Sequence, residues 1–405
     1  MLGESIIVGG GARGIHFAGL LAAQHRKVAA VVDSFTEGFP LMRKRLGDLG
    51  AGDVQLFPTL NEALESGGCS AVDTMFIMTP EWTHYGYFRE GLRSGFHIFM
   101  EKPLAAGKSD LLEMIKLNDG TDKIVQVGFV LRYTPFYSRI KAIVDSGVLG
   151  KLVTVHMNER LSLWHGGMYK RNWRRRKDLT GGFLNEKCSH DLDIMCWLKE
   201  SGGRPLSVFS MGSRGFCSEG QRHPGLCRNC RENDCPWQFK KHDGWRSIDG
   251  IPCEDETCAP YDICVYNSDA DIYDNQTVTI GFSDGTHGMF SVAAMSPKEE
   301  RDITLHGTEG FLTGRFETGE IRFINYRDNS WHEEEYGYKD FHGGGDERIM
   351  AAFLECIDKG VKPLTTMENG AQASFLAFAA DESLEKGCPV FLELDFSKLY
   401  VCCNS

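Results

Sequence analysis

The stretch "SIIVGGGARGIHFAGLLAAQ" (residues 5–24) decides the fold of the first third of the chain. It reads as a short apolar strand, a glycine turn and then a helix, with Gly9, Gly11 and Gly14 in the spacing G-x-G-x-x-G. The first glycine permits the tight turn, the second lets the backbone approach a pyrophosphate, and the third lets helix and strand pack closely. The helix opens at Ala12–Arg13–Gly14, and the backbone N–H groups of such a helix start favour a phosphate. Next, "KVAAVVDS" (27–34) is a second apolar strand that ends in Asp33 and Ser34. An acid about 20 residues beyond the glycines is placed to bind a ribose diol and to repel a 2′-phosphate. NAD is therefore the expected cofactor, ahead of NADP. Glycines at this spacing also occur in turns without a ligand; the strand, helix, strand and acid together make the pattern specific.

The alternation continues outward. Residues 60–67, 81–95 and 109–119 read as helices, and 71–79, 97–101 and 124–130 as apolar strands. Strands alternating with helices imply a doubly wound parallel sheet, whose ligands sit at the carboxyl ends of the strands. Those ends carry the glycine turn, Asp33, Thr79–Pro80 and Glu101–Lys102–Pro103, which places Lys102 beside the expected nicotinamide. We expect a dinucleotide-binding domain over 1–126 and a substrate-binding and oligomerisation domain over 127–405.

The 405 residues are ample for two domains, and 42% hydrophobic with 25% charged residues is the composition of a soluble globular chain. A net charge of −12 argues against nucleic acid or an anionic membrane as partner. No segment approaches the about 20 apolar residues of a membrane span. The N-terminus runs directly into a strand, leaving no room for a cleaved leader, and 14 cysteines suggest thiols or metal ligands rather than disulfides. Cytoplasm is the expected compartment. The basic run "RNWRRRK" (171–177) reads as a solvated loop or as a greeting for an anionic substrate group.

In "GGFLNEKCSHDLDIMCWL" (181–198), Glu186, His190 and Asp193 fall at i, i+4 and i+7, one face of a helix, while Cys188, Leu192, Met195 and Cys196 supply packing. An ordinary amphipathic helix with a solvated polar side shows the same stripe. The rest of the chain weighs against that. With "GGGARG" (9–14), "TPEWTHYGYFREGLRSGFHIFMEKPLA" (79–105), "VGFVLRYTPFY" (127–137) and "SGVLGKLVTVH" (146–156), the sequence resembles the Gfo/Idh/MocA oxidoreductases over nearly its whole length. The specific combination is E-K-P at 101–103 followed much later by the H-D-x-D helix.

The resemblance implies an N-terminal Rossmann domain and a C-terminal α/β domain with a large open, mostly antiparallel sheet, whose outer face makes homo-oligomer contacts. It implies nicotinamide-dependent oxidation or reduction of a sugar, polyol or related hydroxyl. By the same resemblance Lys102 is the lysine of the E-K-P motif and His190 the catalytic histidine. Thr79, Pro80 and His84 match cofactor-side positions, as Glu101 does within E-K-P, while Arg132 and Tyr133 fall where sheet meets substrate. Many members carry Asp four residues before the histidine; here Glu186, one methylene longer, reaches the hydroxyl or orients His190 or Lys102.

Alcohol oxidation needs a proton acceptor as hydride leaves carbon, so His190 is the expected general base and Lys102 the cation that stabilises the alkoxide. Glu186 and Asp193 would orient or tune them. "FHGGGDERI" (341–349) adds a glycine turn before a helix, with Asp346 near its start and His342 as a substrate contact or a plain loop residue. Trp164, His165 and Tyr169 read as a loop whose aromatic faces suit a sugar.

"GLCRNCRENDCPW" (225–237) gives Cys227-x2-Cys230-x4-Cys235, inside a segment of about 213–266 that interrupts the strand pattern. With little apolar material for a core, a metal cross-link is the natural way to hold it. Cys264, before a V-Y step as in relatives that carry this insert, is the expected fourth ligand; Cys253 or Cys258 could replace it. Zinc suits four thiolates, and an iron–sulfur cluster uses the same donors; spacing does not separate the two. Beyond the insert, 271–294 and 301–326 return to alternating strand patterns, and 346–360 and 369–387 are amphipathic helices expected to pack on the nucleotide domain. The expected activity is an NAD-dependent dehydrogenase acting on a sugar, cyclitol or glycoside. The alternative is a glycoside-cleaving enzyme that keeps its NAD and oxidises transiently.

Overall fold

The computed structural model describes residues 3–68, 71–214, 223–239, 247–248, 251–252, 262–337 and 342–392. Among them the chain divides into two units, one of 3–128, 247–248, 251–252 and 349–367 and one of 129–239, 262–348 and 368–392.

The first unit is a six-stranded parallel sheet in the order β3-β2-β1-β4-β5-β6. Its strands are β1 (Glu4–Val8), β2 (Val28–Val32), β3 (Gln55–Phe57), β4 (Val72–Ile77), β5 (His97–Met100) and β6 (Val125–Val127). Between them run α1 (Ala12–Ala23), α2 (Phe39–Asp48), α3 (Leu60–Glu65), α4 (His84–Arg93) and α5 (Lys108–Asp119). β2 is buried at all five positions with five apolar residues in a row, and β1, β4 and β5 are buried but for their first one or two residues, because helices cover both faces of a parallel sheet. α1 buries Gly14, Ile15, Phe17, Ala18 and Leu21, the 3.6-residue stripe legible in the sequence.

The second unit is built on a nine-stranded sheet, β16-β15-β14-β13-β7-β12-β11-β8-β17. It comprises β7 (Leu152–Ser162), β8 (Pro205–Ser213), β11 (Asn275–Phe282), β12 (His287–Ser296), β13 (Glu300–Gly307), β14 (Gly310–Arg315), β15 (Glu320–Asn325), β16 (Trp331–Glu335) and β17 (Val390–Phe391). The short β9 (Ser247–Ile248) and β10 (Ile251–Pro252) pair only with each other. All neighbours in the large sheet are antiparallel except β12 and β7, which run parallel. The sheet is thus mixed and mostly antiparallel, as expected. One face buries Val155, Met157, Phe290, Val292 and Leu305; the other exposes Phe209, Met211, Met289 and Phe391.

Helices of this unit are α6 (Pro135–Asp145), α7 (Leu163–Arg171), α8 (Lys177–Thr180), α9 (Phe183–Glu186) and α10 (Ser189–Lys199), followed by α11 (Gly345–Lys359) and α12 (Met367–Lys386). α11 runs on into the first unit, where Phe353 stacks edge-on against Phe76 and Phe99, as its amphipathic pattern suggested. α12 departs from expectation. Its Asp381 accepts from Gln276 of β11 at 3.0 Å and its Ser383 from the Ser210 amide of β8 at 3.1 Å, so it packs on the second unit's own sheet.

Candidate active site

At the nucleotide end of the first unit, Gly9 has φ +102°, and a Cβ there would lie 2.6 Å from the Met78 carbonyl. A Cβ on Gly14 would lie 1.8 Å from the Gly9 carbonyl oxygen. That contact is with backbone, so no side chain can yield. Gly14→Ala should lower NADH affinity at least tenfold and stability by about 1–3 kcal/mol, read by NADH fluorescence titration and urea unfolding. α1 starts at Gly11–Ala12 with no side-chain cap and no acid in its first turn, so its leading N–H groups suit a phosphate.

Asp33 is already ordered. Its carboxylate accepts from the amides of Gly10 at 2.7 Å and Phe35 at 2.8 Å, which leaves lone pairs for a diol. Ser34 follows in the bend, its carbonyl accepting from Thr36. Arg13 pairs with Glu101 at 2.6 Å, and the other Glu101 oxygen accepts from the Lys102 amide, so E-K-P is tied to the glycine turn. The half-buried Lys102 precedes a cis bond to Pro103. Thr83 donates to the Thr79 hydroxyl and the Pro80 carbonyl. His84 is fully buried with its ring nitrogens on the carbonyls of Thr79 (2.7 Å) and Leu104 (3.2 Å), and burial lowers its pKa. It braces the turns after β4 and β5.

In the second unit, the helix expected over 181–198 is two. α9 ends at Glu186, and the ladder restarts at Cys188, whose carbonyl accepts from both Asp191 and Leu192. The expected polar stripe is therefore dispersed, and α10 is buried at every position, including its ionisable residues. Glu186 accepts from the Tyr169 hydroxyl on one oxygen and from Arg174 at 2.7 Å on the other. Asp193 binds Arg132 through two bonds of 2.6 and 2.7 Å, and both side chains are 2% exposed. This pair holds the 130–133 turn against α10 and leaves neither group aimed at a sugar by itself. His190, 7% exposed, lies edge-on to Phe129. Tyr133 is buried close by in sequence to Arg132.

Trp164, His165 and Tyr169 do not form a loop; they lie on α7. His165 pairs with Glu299 at 2.7 Å and stacks on Tyr169. His342 faces Asp346 at 2.9 Å across the expected glycine turn. The basic run likewise finds protein partners rather than an open anion site: Arg175 takes Asp269, Arg176 takes Asp178, and Lys177 takes Asp381 and Glu385. A cluster missing from the sequence reading sits around α10: Lys187 and Arg301 both pair with Glu159, and Arg301 also with Asp191. Glu159, Asp191 and Cys188 lie close enough together to hold an ion, but those two cations already neutralise the carboxylates.

The insert departs from and returns to adjacent strands, since Ser213 and Asn275 are partners in the β8–β11 ladder. Cys227, Cys230, Cys235 and Cys264 line one small cavity together with Arg171, and none is in a disulfide. Two features fit this set to a thiolate-bound metal. Burial, together with the neighbouring thiols, raises the pKa of Cys235 and Cys264, so a cation among the four sulfurs would be needed to hold them as thiolates. Arg171 reaches the Cys227 sulfur at 3.5 Å and so offsets excess thiolate charge. Cys253 and Cys258 lie outside the described residues.

Comparison with known proteins follows the same division. The pattern described as an oxidoreductase family with an NAD-binding Rossmann fold matches residues 4–129, and the GFO/IDH/MocA C-terminal domain matches 137–313. An oxidoreductase of Bacillus subtilis, YteT, is 23% identical over 393 residues, 89% of each chain. Inositol 2-dehydrogenase of Gluconacetobacter diazotrophicus is 32% identical over 132 residues, 31% of this chain and 35% of that one. Among solved structures, levoglucosan dehydrogenase with NADH and levoglucosan has a TM-score of 0.74 at 17% identity, covering 96% of this chain and 99% of that one. For myo-inositol 2-dehydrogenase of Lactobacillus plantarum the TM-score is 0.70 at 18% identity, with 97% and 100% covered. These structures show the shared fold.

Proposed function

The chain belongs to the Gfo/Idh/MocA family of NAD-dependent oxidoreductases, and from that premise we propose that it oxidises a secondary hydroxyl of a sugar, a cyclitol or the sugar of a glycoside. Relatives named for inositol and levoglucosan support this substrate class. The observation that carries the reading is the charge pattern at the head of α10. Glu186, Lys187 and Asp193 each have a fixed counter-charge inside the unit and Asp191 accepts from Arg301, so the residues that flank His190 in the chain are held in place.

Bound NAD would supply the hydride acceptor. The chain supplies the rest. His190 takes the hydroxyl proton, and the Lys102 ammonium donates to the developing alkoxide. Glu186, held by Tyr169 and Arg174, orients the proton acceptor. Gly9, Gly11, Ala12, Arg13 and Gly14 cradle the pyrophosphate, Asp33 and Ser34 the ribose, and Thr79, Pro80 and Glu101 the nicotinamide side, with His84 as brace. Tyr133, Trp164, His165 and His342 face the sugar in this reading. The four cysteines hold a structural zinc, which plays no part in hydride transfer; elemental analysis separates it from an iron–sulfur cluster. A second copy covers the exposed Met211 and Phe391 face of the large sheet in a cytoplasmic homo-oligomer, since exposed apolar patches of that kind are interaction sites.

The test is to release and identify the bound nucleotide by mass, then screen sugars, cyclitols and glycosides for absorbance of NADH. Net NADH from a polyol or sugar supports the dehydrogenase. Cleaved glycoside without net NADH turns the reading to the transient-oxidation alternative. Asp33→Ser, which keeps a hydroxyl acceptor for Gly10 and Phe35, should shift the NAD-to-NADP ratio of kcat/KM at least tenfold toward NADP. An unchanged ratio would remove Asp33 from the ribose site.

A further inference from the structure

We propose that the cysteine-rich insert is a positioning device for Glu186, acting through α7 and the turn that follows it; its stiffness rests on the metal reading given above. The insert grips α7 from both of its longer described segments, 223–239 and 262–266. Arg171, the last residue of α7 and 1% exposed, donates to the Ile263 carbonyl at 2.9 Å, to the Trp237 carbonyl and to the Cys227 sulfur at 3.5 Å. Trp237 and Val265 form a small core onto which Leu163, at the start of α7, packs. A Cβ on Gly167 would come within 3.3 Å of the Trp237 ring, so helix and insert approach closely mid-length as well.

The chain leaving Cys264 continues the grip. Ser268 donates to the Lys170 carbonyl, Asp269 pairs with Arg175 at 2.5 Å, and Asp271 accepts from the Lys177 amide at 2.6 Å. Asp274 then pairs with Lys170 at 2.9 Å, both almost fully buried. Residues 163–177 are thus held along their length by the insert and by the segment 268–274 that follows it.

Two bonds to the Glu186 carboxylate come from this gripped stretch: Tyr169 to Oε2 and Arg174 to Oε1. Neither donor belongs to the helix that carries Glu186. Release of the insert therefore loosens the two donors together, and with them their hold on the carboxylate. Arg171 is a positioning residue in this scheme and touches no reacting atom.

The experiment uses the full-length protein and Arg171→Ala, Arg171→Lys, Glu186→Gln and the Arg171→Ala/Glu186→Gln double variant. Amide exchange by mass spectrometry should accelerate at least tenfold over 183–190 in Arg171→Ala and stay unchanged over 5–24. In turnover, Arg171→Ala should lower kcat about tenfold with NADH affinity intact, Arg171→Lys should recover part of it, and the double variant should be no worse than Glu186→Gln. Exchange changes confined to 223–239 and 262–269, or single-variant losses that multiply, would overturn the proposal. Metal content is measured on the same samples. Protein without metal overturns the zinc reading, and the exchange over 183–190 in Arg171→Ala then decides the positioning proposal by itself.

Discussion

His190→Ala should lower kcat for NAD-dependent sugar oxidation by about 10²–10⁴-fold while leaving NADH affinity within a factor of two, because general-base catalysis is worth about that much. The reaction releases a hydroxyl proton as the C–H bond gives up its hydride, and without a positioned acceptor that proton goes to water. Lys102→Ala should cost about 10²–10³-fold, the range for losing one donor to a developing oxyanion. If both act on one oxygen, the double variant will fall far short of the product of the two losses. Single-turnover NADH formation checks each variant, and retained NADH binding separates chemistry from folding. Either variant at full kcat would end the assignment for that residue.

The nucleotide unit was legible because its signals are local. Five consecutive buried apolar residues in β2, and a Gly14 forced by the carbonyl of nearby Gly9, need no long-range knowledge. α7 was misread as a loop for an instructive reason. Gly166 and Gly167 look like a turn, yet a Cβ on Gly166 would lie 1.7 Å from the Ala294 carbonyl of β12, so that glycine serves close packing of a helix on a sheet. "RNWRRRK" suggested an anion site because its counter-charges cannot be seen locally. Asp269 and Glu385 lie 94 and 208 residues away. The stripe of Glu186, His190 and Asp193 assumed one continuous helix, and the restart at Cys188 sends these side chains to separate partners. Glu159 was hidden for a further reason: it falls on the buried face of β7 between Met157 and Leu161, where alternation calls for an apolar residue. A charge at such a position is itself a signal that cations wait beneath the sheet.

That buried charge gives the largest expected effect on stability. Glu159 is 2% exposed; burial alone would raise its pKa, but Arg301 and Lys187 overcome this and hold the carboxyl well below the usual range. Glu159→Gln takes from Lys187 and Arg301 the carboxylate they share, with Asp191, Glu299 and Glu317 left around them, and removing one partner of a buried pair typically costs about 3–5 kcal/mol. Asp191→Asn should behave differently, within about 1 kcal/mol of wild type at neutral pH. Burial and the charge of Glu159 push the Asp191 carboxyl up to about 7, from an ordinary 3.8, so a neutral amide resembles the state that the carboxyl favours below neutral pH and still half occupies at it. The sign with pH follows. A carboxyl with a raised folded pKa adds stability below its unfolded value and loses it as pH climbs through the folded value. Asparagine does not titrate, so Asp191→Asn should gain on wild type as pH rises from about 4 to 7. Urea unfolding of both variants at several pH values measures this directly. Equal losses for Glu159→Gln and Asp191→Asn, with no pH trend between them, would mean that the two carboxyls share the cations evenly and that α10 rests on packing instead.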